Sequence, residues 1–396
     1  IDMFMSQPQK VTQTNGGGDY CTFMLNELVK LSGLHITVLL YVGRGHNDVV
    51  DALCKNNGLQ KLYYDDNADF EKIINNGNFD TLYFPVLHPY HKEIKIKREQ
   101  RIIAGIHDLS TIEQAKVFYK VKGKKFLGND GWDWLRNIYR TIFSTSILKQ
   151  EIKTHNKLFN LSDNEIVYTV SYSTRTEMNF LLSTNETSIP VFYTPDIVIK
   201  NTEDCIDTDI LEKTGIKKQS YFLLCSANRW NKNNEIAIKT IDNFFSYNRK
   251  CSHKALVLGA VPNVKSYLLT QIVNKEKFVF KGYVDRAELE TYFKNAYCLV
   301  YPSVIEGFGL PPVEAMKYGV VSLCSTATSI PEICADAAIY FDPYSHESIY
   351  KALLKAFDNE YMELVKHHVK RRYKELSDKR ADDLRLLLNL ISNVYI

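Results

Sequence analysis

Short apolar runs rich in β-branched and aromatic residues punctuate the first half of the chain: Ile36–Val42, Thr81–Val86, Arg101–Ile106, Ile166–Val170 and Val191–Tyr193. Runs of this length and composition predict strands buried on both faces. Between them, Tyr20–Ser32, Asn47–Asn56 and Asp69–Asn75 carry apolar positions at three- and four-residue spacing, which predicts helices. The alternation implies a parallel sheet covered by helices. Residues 196–218 are polar and weakly periodic, a connector, and then the pattern restarts. Tyr221–Ser226, Lys254–Leu258, Phe278–Phe280, Cys298–Tyr301, Val320–Leu323 and Ala338–Phe341 read as strands, separated by helical stretches at 234–248, 263–274, 286–296, 311–318 and 346–357. A last helix over Asp378–Tyr395 shows a stripe of Leu384, Leu387, Leu388 and Ile391. The whole is an α/β plan written twice, and loops after the carboxyl ends of strands are where a ligand belongs.

Length agrees with that doubling, since 396 residues exceed one core. The apolar fraction of 45% and charged fraction of 24% are those of an ordinary globular chain, which leaves no case for disorder. Eight cysteines (21, 54, 205, 225, 251, 298, 324, 334) form no CxxC pair and sit largely in apolar runs, so a reducing cytoplasm is expected and neither a disulfide framework nor a zinc site is. No apolar run reaches the ~18 residues that span a bilayer. The chain opens at Ile1-Asp2-Met3-Phe4 without an initiator methionine, so its first strand is expected to be clipped.

The net charge of +3 hides an uneven distribution. Residues 91–160 hold 15 Lys/Arg against 7 Asp/Glu, a local +8, whereas residues 1–90 hold 6 against 10, or −4. Residues 91–125 carry the densest basic clusters, which suit a solvated face or peripheral contact with anionic lipid on the inner face of a membrane. No DNA- or RNA-binding motif accompanies them, so nucleic acid is not an expected partner.

The most informative string is Tyr301-Pro302-Ser303-Val304-Ile305-Glu306-Gly307-Phe308-Gly309-Leu310-Pro311-Pro312-Val313-Glu314. It follows an apolar strand and enters a helix with proline near its first position. Gly307 and Gly309 let the backbone turn sharply and approach a ligand. Free N–H groups at a helix start bind phosphate or sugar hydroxyls. Glu306 falls in the loop and Glu314 in the first turn of the expected helix, where glutamate is also common for its own sake.

Two glutamates separated by seven residues in this setting resemble the donor-binding motif of glycosyltransferase family 4, the retaining glycosyl transferases group 1. The similarity continues through Ser325–Glu332 and Asp336–Pro343, covering about residues 219–357 well and the first half loosely. It implies the GT-B fold: two Rossmann-like parallel-sheet domains facing across a cleft, with the C-terminal helix crossing back to the first. The expected division is 1–200 for the acceptor domain, 201–218 for the linker, 219–375 for the nucleotide-sugar domain and 376–396 for the terminal helix. It implies that Glu314 holds the donor ribose and that Glu306, with the backbone of Gly307, Phe308, Gly309 and Leu310, holds the transferred sugar.

The same resemblance assigns other positions. Lys232, in Arg229-Trp230-Asn231-Lys232-Asn233, would neutralise the leaving diphosphate with Arg229, although Arg229 stands two residues from the commoner arginine position. Gly17 and Gly18, in a glycine loop between the first strand and first helix, would meet the diphosphate. The backbone of Tyr283 and Val284 would receive the base. His107, after the strand Arg101–Ile106, would contact the donor sugar at the reaction centre and stabilise developing charge. Asp108, Ser171 and Ser173 would line the acceptor side. The implied activity is transfer of a hexosyl-type sugar from a UDP- or GDP-sugar to a carbohydrate or lipid-linked acceptor, as in cell-surface polysaccharide synthesis. It needs no protein nucleophile, cofactor or metal. Asp65-Asp66 and Asp382-Asp383 are expected to decorate surfaces. A hydrolase using the two glutamates leaves Lys232 without a role. A nucleotide-sugar epimerase of the same fold and a catalytically silent partner subunit stay open.

Overall fold

The computed structural model describes residues 1–8, 16–91, 94–96, 100–110, 164–182, 189–197 and 208–393, together with 112, 146, 149–150 and 152–153. The chain forms two compact units: Ile1–Leu109, Lys149–Val198 and Asp378–Ile396 make the first, Ser110–Leu148 and Ile199–Ser377 the second. Most of the basic stretch at 91–125 lies outside the described residues.

In the first unit the order is α1 (Gly16–Leu28), β1 (Thr37–Tyr41), α2 (Asp48–Asn56), β2 (Gln60–Tyr64), α3 (Asn67–Asn76), β3 (Thr81–Phe84), β4 (Arg101–Ile106), β5 (Glu165–Thr169) and α4 (Tyr172–Leu182). β1 pairs with β2, and β3-β4-β5 form a second ladder, all parallel. Residues 1–3 stitch the two together: Met3 N–H donates to Leu39 at 3.0 Å and Asp2 N–H to Tyr83 at 2.9 Å. Val191 bridges Thr169 beyond β5.

β2 is missing from the pattern-based reading because Gln60-Lys61-Leu62-Tyr63-Tyr64 buries only its last residue and shows no apolar run. The glycine run at 16–18 opens α1 instead of forming a loop. Glycine costs about 1 kcal/mol against alanine within a helix. Burial of Tyr20, Cys21, Met24, Leu25 and Leu28 on one face of α1 outweighs that.

The second unit holds α5 (Thr208–Thr214), β6 (Tyr221–Leu224), α6 (Asn234–Tyr247), β7 (Lys254–Val257), α7 (Pro262–Leu269), β8 (Phe278–Phe280), α8 (Arg286–Asn295), β9 (Cys298–Tyr301), α9 (Leu310–Lys317), β10 (Val321–Ser325), α10 (Ile330–Cys334), β11 (Ala338–Phe341) and α11 (His346–Ala356). Helix α5 thus occupies part of the stretch read as a plain connector. Six parallel strands run in the order β11-β10-β9-β6-β7-β8. The chain builds outward from β6 through β7 and β8, then returns to β6's other side with β9. The switch point of this sheet lies between β6 and β9, where an open α/β sheet offers its ligand crevice.

The long helix α12 (Asn359–Ser392) belongs to the second unit up to Ser377 and to the first from Asp378. There Leu387, Leu388 and Ile391 join a core with Tyr20, Met24, Leu28, Tyr83, Ile103 and Tyr168. The buried Arg380 donates to the Thr194 and Pro195 carbonyls at 2.6 and 2.7 Å. Asp383, expected on a surface, is 5% exposed and accepts from Tyr193 N–H at 2.9 Å. The correction has a clear cause: the carboxylate takes the Tyr193 backbone N–H as its hydrogen-bond partner, which holds it inside.

Candidate functional site

The loops following β6 and β9 interlock at the switch point. Val304 N–H donates to the Asn231 carbonyl at 2.9 Å, and Asn231 Nδ2 donates to the Ile305 carbonyl at 3.2 Å. Asn233 takes the left-handed conformation at φ 51° and caps the short turn Trp230–Lys232, while its Nδ2 donates to the Pro343 carbonyl. These contacts place Lys232 beside Glu306. The Lys232 ammonium, 6% exposed, pairs with the Glu306 carboxylate and donates to the Tyr301 hydroxyl at 2.8 Å. The Ser303 hydroxyl also lies against Glu306. A buried ion pair is costly unless further hydrogen bonds support it, and here the Tyr301 and Ser303 hydroxyls do so. An ammonium has three donors, of which Glu306 and Tyr301 use two.

Gly309 stands at φ 90° as the N-cap of α9. A Cβ there would meet only Ile330 at 3.8 Å, so backbone conformation and not space demands glycine. The Glu306 N–H donates to Thr328 Oγ1 at 2.9 Å, and Ser329 Oγ donates back to the Glu306 carbonyl. The segment Ser325–Glu332 therefore staples the glutamate loop, a role not visible in its letters.

Glu314 is the fifth residue of α9, in its second turn and not its first, because the helix starts at Leu310. Arg286, at the start of α8, donates to it at 2.5 Å and also pairs with Glu290. Burial works to lower the Arg286 pKa, but Glu314 and Glu290 outweigh it and the net shift is upward. Both Glu314 and Lys232 act electrostatically on the thiol of Cys225 at the end of β6, whose pKa burial chiefly raises. The acidic pair and the lysine thus surround one neighbourhood.

In the first unit His107 follows β4, half-buried, with Nε2 3.2 Å from the Pro85 carbonyl and the Tyr20 ring edge-on at 4.5 Å. Burial pushes its pKa down to about 4, although Asp108 and the Pro85 carbonyl act to raise it. At neutral pH it is an uncharged imidazole, so it does not meet developing negative charge as a cation. Asp108 is exposed. Ser171 is fully buried and caps α4, accepting from Thr174 N–H at 3.1 Å. Ser173 lies within that helix and not in a loop. The Ser-x-x-Thr start explains why the helix opens here: the Ser171 hydroxyl satisfies one of its first N–H groups. Gly17 and Gly18 lie in the first turn of α1.

Residues 207–375 match the family described as glycosyl transferases group 1. The match covers less than half of the chain. Relatives over shorter stretches include O-antigen chain mannosyltransferase B of Escherichia coli, 35% identical over 26% of this chain and 29% of the relative. O-antigen chain mannosyltransferase RfbU of Salmonella typhimurium is 28% identical over 47% of this chain and 49% of the relative. The chain spans less than half the length of the curated relatives it matches. Among solved structures, WaaG, a glycosyltransferase involved in lipopolysaccharide biosynthesis, aligns over 100% of both chains at TM-score 0.66 and 15% identity. HepE of Anabaena, in complex with UDP and glucose, aligns over 99% of both at 0.67 and 13%. These likenesses show the GT-B fold.

Within the group 1 segment, Arg229 is exposed and no described residue holds its side chain, in contrast to Lys232. Tyr283 is 70% exposed in the loop after β8, whose Lys281 and Gly282 carbonyls accept from Ala260 and Gly259. Val284 is half-buried beside it. Arg286, Asn231 and Tyr301 escaped sequence reasoning as site residues. Only Tyr301 had a signal, its place at the head of the glutamate string.

Proposed function

We propose that the protein is a retaining glycosyltransferase that moves a mannosyl residue from a nucleotide-diphosphate donor to a glycan or lipid-linked acceptor. The observation that carries this reading is the buried Lys232–Glu306 pair at the β6/β9 switch point, next to the glycine-lined start of α9. A fixed ammonium beside backbone donors suits charge that develops on a departing diphosphate. Glu306 and the Gly307–Leu310 backbone suit the sugar, Glu314 the ribose, and the backbone at Tyr283 and Val284 the base. His107 contributes a neutral hydrogen-bonding group to a substrate hydroxyl.

The reaction proceeds without a protein nucleophile or metal: a donor phosphate oxygen takes the acceptor proton on the face where the diphosphate leaves. Mannose is the proposed sugar because two of the relatives are named as mannosyltransferases. Among the described residues no helix is long and apolar enough to cross a membrane. A thermal-shift screen of GDP-mannose, UDP-glucose and UDP-N-acetylglucosamine tests the donor. A ligand at 100 times its dissociation constant stabilises by ~2.7 kcal/mol. A shift with a UDP-sugar and none with GDP-mannose would replace the proposed donor, and free nucleotide release with an altered hexose and no acceptor elongation would replace this function with an epimerase.

A further inference from the structure

Three buried tyrosines from three elements meet in the first unit: Tyr20 on α1, Tyr83 on β3 and Tyr168 on β5. The Tyr20 and Tyr83 hydroxyls each lie 3.0 Å from that of Tyr168. Tyr168 donates to the Pro85 carbonyl at 3.3 Å, and His107 Nε2 sits 3.2 Å from the same oxygen. Burial holds all three phenols well above their ordinary pKa, so each keeps its proton.

The hydrogens can then be assigned one by one. Each hydroxyl has one donor and two lone pairs, and a carbonyl only accepts. Tyr168 directs its hydrogen to Pro85, so its own oxygen accepts from Tyr20 and Tyr83. With one lone pair of the Pro85 carbonyl used by Tyr168, the other faces His107, and Nε2 must carry the imidazole hydrogen. Nδ1 is left as an acceptor, and no described residue bonds to it. The packing is built around this point. A Cβ on Gly105 would come within 2.4 Å of the Pro85 oxygen and 2.6 Å of the Tyr168 hydroxyl, so only glycine leaves room for the network.

We propose that the Tyr20–Tyr83–Tyr168 cluster positions His107 through the Pro85 carbonyl, holding it as the Nε2–H tautomer so that Nδ1 accepts a hydrogen bond from a substrate hydroxyl. The tyrosines are positioning residues, and the last step rests on His107 belonging to the site as proposed above.

Nitrogen-detected NMR of histidine-labelled native protein, with His107 assigned by its loss in His107→Gln, reads the tautomer directly. A dominant Nε2–H form is expected, and a dominant Nδ1–H form overturns the inference whatever the variants do. Turnover of GDP-mannose supplies the second arm. The Asn side-chain oxygen stands about where Nδ1 stands, whereas the Gln amide reaches the place of Nε2. His107→Asn should therefore keep at least ~10-fold more activity than His107→Gln, the scale of one retained hydrogen bond. The reverse order overturns the inference. Tyr168→Phe should lower kcat ~10-fold, leave donor KM within ~2-fold and mix the tautomers. Native kcat with a native tautomer in that variant also overturns it. Native turnover in both His107 variants would instead remove His107 from the site, a failure of the function and not of the tautomer assignment.

Discussion

The two units handle candidate site groups in opposite ways. In the second, charges are committed to one another: Lys232 with Glu306, Arg286 with Glu314. In the first, His107 is neutral and held by a carbonyl, and Ser171 by a helix end. Burial has a different consequence in each. A buried ion pair survives because its partners are near in space and supported by further hydrogen bonds, while a buried imidazole without an anion close enough sheds its proton. A donor carrying a diphosphate belongs with the first arrangement, and a neutral sugar hydroxyl with the second.

The sharpest way to break this contrast is to remove a charge from the second unit. Lys232→Ala and Glu306→Ala should each lower turnover at least ~100-fold in protein whose circular dichroism remains native, the scale of one preorganised electrostatic contact. Near-native rates would end the assignment. Arg286→Ala should weaken donor binding by about 10-fold in calorimetry by releasing Glu314 from its charged hydrogen bond.

In the first unit, Gly105→Ala forces its Cβ against the Pro85 carbonyl and should cost about 1–3 kcal/mol in urea unfolding. The pH dependence is gentler. His107 binds its proton at about 4 when folded against an ordinary 6.5, so between those values the unfolded chain carries a proton that the folded one does not. Stability is whole above 6.5, falls as pH drops toward 4 and levels below it. His88, also lowered to about 4 by burial, acts in the same window. His107→Gln should flatten part of that slope in unfolding curves, leaving His88's share. Arg229→Ala should change turnover by less than about 3-fold, since an exposed side chain with no partner among the described residues contributes little. A large loss there would extend the charged site to the surface.

Much of the second unit was legible because its motif is contiguous. The strand at Cys298–Tyr301, the glycine turn and the helix after it place Glu306 within a dozen residues, and local propensity determines each. Lys232 was legible as a cation after a strand. Its partner was not, since 74 residues separate it from Glu306 and only strand order makes β6 and β9 neighbours. Arg286 was invisible for the same reason. In the first unit β2 was hidden by edge polarity, and Asp383 by the backbone donor that it meets.

The amino-acid sequence by itself determined two α/β units, the strand-loop-helix that carries Glu306, and the likeness of residues 207–375 to the glycosyl transferases group 1. These rest on periodicity and turn chemistry, which act over a few residues. Tertiary structure alone decided which charges neutralise each other, that Ser171 is committed to a helix, and that His107 is an uncharged acceptor. Those outcomes depend on what each group meets once water is removed, and residues 20, 83, 85, 105, 107 and 168 meet only after the sheet has closed over them.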